Sequence, residues 1–270
     1  MNQEDRLAKL KERIREKGRL MVAYSGGVDS SLLAALARDA LGDNALAVIL
    51  DSETLPRGEL QLAAALAGQM GLNFRVVKFN ILHQEPFQDN TPRRCYICKK
   101  SSIALLKSIA AEEGIGSIAD GLNRDDCQQW RPGTAACHEE GIWHPLLEAG
   151  MGKEEIRAAA RELGLPVWNK PSSACLASRI PYGQPITRQT LRMVEAAESF
   201  LKSLGFGQLR VRADGRGARI ELEKQDMKKA LESGEEIACK LKALGFQYVS
   251  LDLQGYRSGS MDEVLWTSRD

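Results

Sequence analysis

The chain has 270 residues, 43% hydrophobic and 27% charged, a globular composition that fits one large or two modest domains and excludes a fibrous, coiled-coil or wholly disordered chain. Its 37 basic and 36 acidic residues leave a net charge of +1, which argues against the broad basic face of a nucleic-acid binder. The longest strictly apolar runs, such as Leu32 to Ala37 and Ala45 to Leu50, have six residues, against roughly 20 in a membrane-spanning helix, so no span and no membrane partner are expected.

Leu7, Leu10 and Ile14 recur at helical spacing among charges and predict an amphipathic helix over 3–17. This opening stretch lacks the apolar core of a secretory signal, so the expected location is the cytoplasm. An alternation follows: a short apolar strand from Arg19 to Tyr24, a turn at Ser25-Gly26-Gly27-Val28-Asp29-Ser30-Ser31, and a helix from Leu32 to Leu41 closed by Gly42. A second strand from Ala45 to Leu50, a helix opened by Pro56 and ended by Gly71, a third strand from Phe74 to Phe79, a helix over 95–113 and a fourth strand from Ser117 to Asp120 continue the pattern. Strands apolar on both faces and alternating with helices predict an α/β layer fold with a parallel sheet, whose ligands sit at the carboxyl ends of the strands.

A helix over 152–164 precedes a long irregular stretch, 169–187, that holds three prolines. The grammar then changes: a helix from Arg188 to Leu204, strands at Leu209 to Arg212 and Ala218 to Leu222, a helix from Asp226 to Leu244 and a strand from Tyr248 to Leu253. The expected organisation is therefore a first domain over 1–186 and a smaller α+β domain over 187–270.

The turn between the first strand and helix is where chemistry is expected. Paired glycines let backbone N–H groups converge on an anion, and the helix N-terminus adds its dipole. Ser25, Ser30 and Ser31 offer hydroxyls, and Asp29 can hold a magnesium ion. The turn has no lysine, so it is not the mononucleotide P-loop with its Gly-Lys-Ser/Thr ending. The competing reading is a capped strand-to-helix turn.

Six cysteines in a reducing compartment are core, catalytic or metal-bound rather than a disulfide framework. Cys95-Tyr96-Ile97-Cys98 is flanked by Arg93, Arg94, Lys99 and Lys100 at a helix start, a setting that favours thiolates. Cys175 lies in the irregular stretch with Arg179 four residues on. Three thiolates suit an iron–sulfur cluster or a closed metal site, while a lone C-x-x-C is equally a redox or zinc half-site. Cys127, Cys137 and Cys239 read as structural, and a zinc site from Cys127, Cys137, His138 and His144 matches no standard spacing. Arg210 and Arg212 alternate along a strand and share a face, an arrangement for two forks on one phosphate or simply a solvated strand pair. Asp120, Asn123, Asp125 and Asp126 can bind magnesium or a ribose, or cap a turn.

Ser25-Gly26-Gly27-Val28-Asp29-Ser30-Ser31 resembles the PP-loop of N-type ATP pyrophosphatases, which split ATP between its α and β phosphates. The resemblance implies that Ser25, Gly26, Gly27, Asp29, Ser30 and Ser31 bind ATP and magnesium, and that an acceptor oxygen is adenylated. Further runs, NTPRRCYICKK (90–100), ADGLNRDD (119–126), RPG (131–133), HPLLEAGMGKEEIR (144–157), CLASRIPYG (175–183), LRVRADGRGARIE (209–221) and LDLQGYRSGSMDEVL (251–265), resemble the LarE family across nearly the whole chain. These are ATP-dependent sulfur transferases of nickel-pincer nucleotide biosynthesis.

The resemblance implies a pyridinium biscarboxylic acid mononucleotide as substrate, adenylated on a carboxylate and converted to a thiocarboxylate. It implies that Cys175 bears the sulfur and is sacrificed to dehydroalanine, or that Cys95, Cys98 and Cys175 hold a 4Fe-4S cluster; the C-x-x-C points to the cluster branch. It also places Ser178, Arg179, Arg210 and Arg212, with Asp126 and Glu221, near the substrate. A homo-oligomer, hexameric in known members, a sulfur donor and other cofactor-maturation proteins are the implied partners. The alternative is a PP-loop tRNA thiolase that uses a 4Fe-4S cluster, against which stand the near-zero charge and the match of the last segment to the other family.

Overall fold

The computed structural model describes residues 3–128, 132–171, 173–257, 259–263 and 265; Arg131 of the Arg-Pro-Gly run, with Ser258 and Val264 of the last motif, lie outside them. No helix among the described residues is long and apolar enough to cross a membrane. The chain divides into two compact units, one of residues 1–81 and 95–173, the other of 82–94 and 174–270.

In chain order the elements are α1 (Gln3–Glu16), β1 (Leu20–Ala23), α2 (Val28–Leu41), β2 (Ala45–Ser52), α3 (Arg57–Gln69), β3 (Asn73–Phe79), α4 (Glu85–Gln88), α5 (Arg94–Glu112), β4 (Ile118–Ala119), α6 (Pro132–Glu139), α7 (Pro145–Glu148) and α8 (Lys153–Glu162). After them come α9 (Arg188–Ser203), β5 (Leu209–Asp214), β6 (Gly217–Leu222), α10 (Met227–Glu232), α11 (Gly234–Ala243) and β7 (Tyr248–Leu251).

The first unit carries a four-stranded parallel sheet in the order β3-β2-β1-β4. Alternate side chains of β1 and β2 serve opposite layers. Leu20, Val22, Ala45, Ala47 and Ile49 pack with α1, α2, α3 and α8, whereas Met21, Leu46 and Val48 pack with Ile103, Leu106 and Ile109 of α5. This is the expected parallel α/β fold, with β1 and β2 covered on both faces while the edge strand β3 is largely exposed, and β1 is interior with its carboxyl end between those of β2 and β4.

Helix α2 begins at Val28, four residues before the expected start at Leu32. Gly27, extended at φ −84° and ψ 166°, is its N-cap, so Asp29, Ser30 and Ser31 belong to the first helical turn rather than to a loop. Asp29 suits that turn because a carboxylate favours a helix N-terminus, and buried Val28 anchors it.

The second unit has a three-stranded sheet, β5-β6-β7, with β5–β6 antiparallel and β6–β7 parallel. The expected helix from Asp226 to Leu244 is broken at Ser233 into α10 and α11. The division of the chain differs from the expected boundary at 186/187: it falls at 173/174, and 82–94 joins the second unit. The cause is local. Asn90, fully buried and in the left-handed region at φ 54°, donates Nδ2 to the carbonyls of Ile180, Pro181 and Gln184 at 2.7–3.1 Å. Ile186 N donates to Gln88 O at 2.9 Å, so the irregular stretch is fastened to 82–94.

Candidate active site

The Gly26–Gly27 turn stands at the carboxyl end of β1. Gly26 has φ +70°, and a Cβ there would lie 2.6 Å from the Ala63 Cβ, so only glycine fits. No side chain caps α2, which leaves its first N–H groups for an anion. The serines brace the turn: Ser25 N donates to Ser30 Oγ at 3.2 Å, Ser30 Oγ to Gly27 O at 3.2 Å, and buried Ser31 Oγ to Tyr24 OH at 3.3 Å.

The cations absent from the motif arrive from far along the chain. Lys153 Nζ lies 2.6 Å from Asp29 Oδ2, and Lys170 Nζ donates to Gly26 O at 3.2 Å while pairing with Glu59 at 2.8 Å. The segment after β4 closes the site. Gly121 packs so tightly on α2 that a Cβ would meet Ser30 N at 2.9 Å. Buried Asn123 donates Nδ2 to Asp29 Oδ1 at 3.4 Å, and its Oδ1 accepts from the N–H groups of Asp125 and Asp126. Asp125 Oδ2 accepts from Lys153 N at 2.7 Å, and Asp126 Oδ2 from Asn123 N at 3.2 Å. These residues cap a turn and at the same time deliver Asn123 to Asp29.

Asp120 is committed to protein partners rather than to a ligand. Its Oδ1 is 2.7 Å from His144 Nδ1, and its Oδ2 is 3.0 Å from Lys99 Nζ and 3.4 Å from Cys137 Sγ. Burial opposes its charge, but the His144 hydrogen bond and the Lys99 charge more than offset that and hold its pKa below the usual carboxylate range. Burial pushes the Cys137 thiol up to about 12, so it is a donor and not a thiolate.

In the second unit Cys175 is exposed and heads a short 3₁₀ turn, Leu176–Arg179. Arg179 is buried and forks onto Glu198, at 2.8 and 3.0 Å, with Nη1 on the carbonyls of Ala174 and Cys175. Arg212 forks onto buried Glu221 at 2.9 and 2.7 Å and donates Nη1 to Ser178 O at 2.8 Å. Ser178 Oγ donates to Cys175 O at 2.8 Å. Arg210 is half-buried, lies 5.1 Å over the Tyr256 ring and donates to Leu209 O; burial and neighbouring Arg179 lower its pKa.

The family model for NAD synthase matches residues 3–97. An uncharacterised protein of Synechocystis is 40% identical over 97% of this chain and 98% of its own length. The pyridinium-3,5-bisthiocarboxylic acid mononucleotide synthase of Lactiplantibacillus plantarum is 40% identical over 93% of this chain and 92% of its own length. This chain belongs to the LarE family. A component of the glutamine-hydrolysing GMP synthase of Archaeoglobus fulgidus, 27% identical over 60% of this chain and 56% of its own length, marks the wider PP-loop relationship. The protein is accordingly an ATP-dependent enzyme.

As a LarE-family chain it carries Cys95 and Cys98 one turn apart on α5, Cys95 exposed and Cys98 half-buried. Three of the flanking cations have partners other than the thiols: buried Arg94 donates to Asn90 Oδ1 and Ile180 O, Lys99 pairs with Asp120 and Lys100 with Glu139. Among the described residues no three His, Cys, Asp or Glu form a ready metal cage, the Cys127–Cys137–His138–His144 set included. Cys137 is buried as a structural residue would be, but Cys127 and Cys239 are exposed.

Sequence reasoning passed over Lys153, Lys170 and Glu198. The lysines carry no local signal, because only the fold brings them to Gly26 and Asp29. Glu198 had one: on α9 it continues the buried Leu191, Val194, Leu201 stripe, where a carboxylate survives only if paired.

Proposed function

We propose that this protein adenylates a carboxylate of pyridinium-3,5-biscarboxylic acid mononucleotide and converts it to a thiocarboxylate, a sulfur-transfer step in making the nickel-pincer cofactor. The observation that carries the reading is the match along nearly the full chain, at 40% identity, to a relative named as the corresponding bisthiocarboxylic acid mononucleotide synthase.

Backbone N–H groups at Gly26 and Gly27 and the α2 N-terminus receive the pyrophosphate end of ATP, with Ser25, Ser30 and Ser31 shaping the turn and Lys153 and Lys170 supplying positive charge. The Asp29 carboxylate, oriented by Asn123, suits a magnesium ion bound with the nucleotide. A substrate carboxylate oxygen attacks the α-phosphorus and pyrophosphate departs. A sulfur nucleophile then attacks the acyl carbon and expels AMP. In the sacrificial route that nucleophile is Cys175 Sγ; loss of its Cα proton breaks the Cβ–Sγ bond and leaves dehydroalanine and the thiocarboxylate.

The cluster route uses Cys95, Cys98 and Cys175, soft thiol donors none of which is buried, a set that fits 4Fe-4S ligation. Such a cluster, when bound, supplies sulfide on its open iron. Arg210, Ser178 and Asp126 are assigned to the substrate, and Arg179, Arg212 and Glu221 act on it through the turn they hold. The enzyme works as a cytoplasmic homo-oligomer beside a sulfur donor and the other maturation proteins, its second unit contributing substrate binding and self-association.

Intact-mass analysis after turnover with ATP and substrate tests this. Thiocarboxylate with a protein lighter by the elements of hydrogen sulfide supports the sacrificial route, and thiocarboxylate with unchanged mass supports the cluster route. Pyrophosphate release that depends on tRNA and not on the mononucleotide overturns the proposal in favour of a tRNA thiolase.

A further inference from the structure

The thiol of Cys175 is exposed, yet its backbone is more firmly held than exposure suggests. The Cys175 carbonyl accepts from Ser178 N at 3.0 Å, Ser178 Oγ at 2.8 Å and Arg179 Nη1 at 2.9 Å. The carbonyl before it, at Ala174, accepts from the same Nη1 at 2.8 Å. Leu176 and Ala177, directly after, are each 1% exposed. With its backbone fixed from both sides, the thiol keeps little freedom beyond rotation about its own χ1.

Arg179 can do this only because Glu198 holds the rest of it. Arg179 is 2% and Glu198 5% exposed, and the carboxylate engages Nε and Nη2 side by side, which turns Nη1 toward the two carbonyls. Glu198 Oε1 also accepts from Val211 N at 3.1 Å, so the fork is tied to β5. A buried ion pair adds little net stability, because desolvating two charges offsets their attraction. A planar fork does impose direction. We propose that Glu198 and Arg179 are positioning residues whose role is to fix the Cys175 backbone and so confine its sulfur to the few positions that χ1 rotation allows. The proposal rests on the reading of Cys175 as the sulfur-bearing or cluster-holding residue.

The test uses full-length protein with Glu198→Gln, which keeps shape and loses charge, and Arg179→Lys, which keeps charge and loses the fork. In both, amide hydrogen exchange across 176–180 should accelerate by at least about ten-fold, the weight of one charge-assisted hydrogen bond, while β6 keeps its protection. Thiocarboxylate formation should fall by on the order of a hundred-fold, as misplacing a reacting group does, and by more than any fall in substrate-dependent pyrophosphate release. Arg179→Lys should give no rescue. Unchanged exchange over 176–180 in both variants, or product loss that merely follows the loss of folded protein in thermal melts, overturns the proposal. If wild-type protein forms no thiocarboxylate, the functional reading fails, and the exchange result still decides whether the fork holds the turn.

Discussion

Lys153 Nζ sits 2.6 Å from Asp29 Oδ2 although the two residues are 124 positions apart in sequence, and so gives the glycine turn the ammonium that its own residues lack. Replacing it with methionine should remove a charge-assisted contact to the nucleotide. That corresponds to a ten- to hundred-fold loss, roughly, in kcat/KM for ATP. Steady-state pyrophosphate release measures this, and unchanged kcat/KM would take Lys153 out of the nucleotide site.

Gly26 and Gly18 separate backbone strain from crowding. Both have positive φ, +70° and +66°, but an added Cβ meets Ala63 at 2.6 Å in one case and nothing within 4 Å in the other. Gly18→Ala should cost about 1–2 kcal/mol from conformation alone. Gly26→Ala should add about 1–3 kcal/mol from overpacking and abolish ATP retention. Urea denaturation of the two variants checks the difference; equal losses would show that Ala63 yields.

Asp120 makes a pH-dependent contribution whose sign is set by its environment. Burial works against the carboxylate, yet the His144 hydrogen bond and Lys99 keep its folded pKa below the ordinary value. Its stabilisation is therefore complete above the unfolded value of about 4, and is lost as pH falls through the lower folded value. Asp120→Asn should cost about 3 kcal/mol at neutral pH by leaving buried partners uncompensated. The gap between variant and wild type should narrow below about pH 4. Urea midpoints measured at neutral and acid pH test this, and a gap that widens on acidification contradicts it.

Anaerobic reconstitution with iron and sulfide should give an absorbing cluster that Cys95→Ala, Cys98→Ala and Cys175→Ala each lose. Cys127→Ala and Cys239→Ala, which alter exposed thiols outside the proposed set, should keep it. Retention of full absorbance by Cys95→Ala rejects the three-cysteine ligation.

The parallel sheet and the place of the glycine turn were legible because they are written in local periodicity: apolar runs, glycine stops and a strand-to-helix junction. Arg179, Arg212 and Glu221 were legible as residues of interest but not in their geometry. Composition cannot tell an arginine aimed at a ligand from one aimed at a carbonyl, and here both forks face buried glutamates. The start of α2 was misplaced because Asp29, Ser30 and Ser31 read as turn formers, while Val28 burial and the dipole draw them into the helix. Lys153 and Lys170 were invisible for a different reason, since nothing local marks a side chain that matters only after folding.

Asn90 has one more implication. By fastening 82–94 to the stretch around Ile180, it makes the chain pass three times from one unit to the other, at 81/82, 94/95 and 173/174. No single cut can then liberate either half intact: truncation after 173 leaves the short excursion bearing buried Leu82, Phe87 and Asn90 without the strands and helices of its own unit. Independent expression of the carboxyl-terminal half would require grafting that excursion onto it, and fragment complementation experiments should be laid out accordingly.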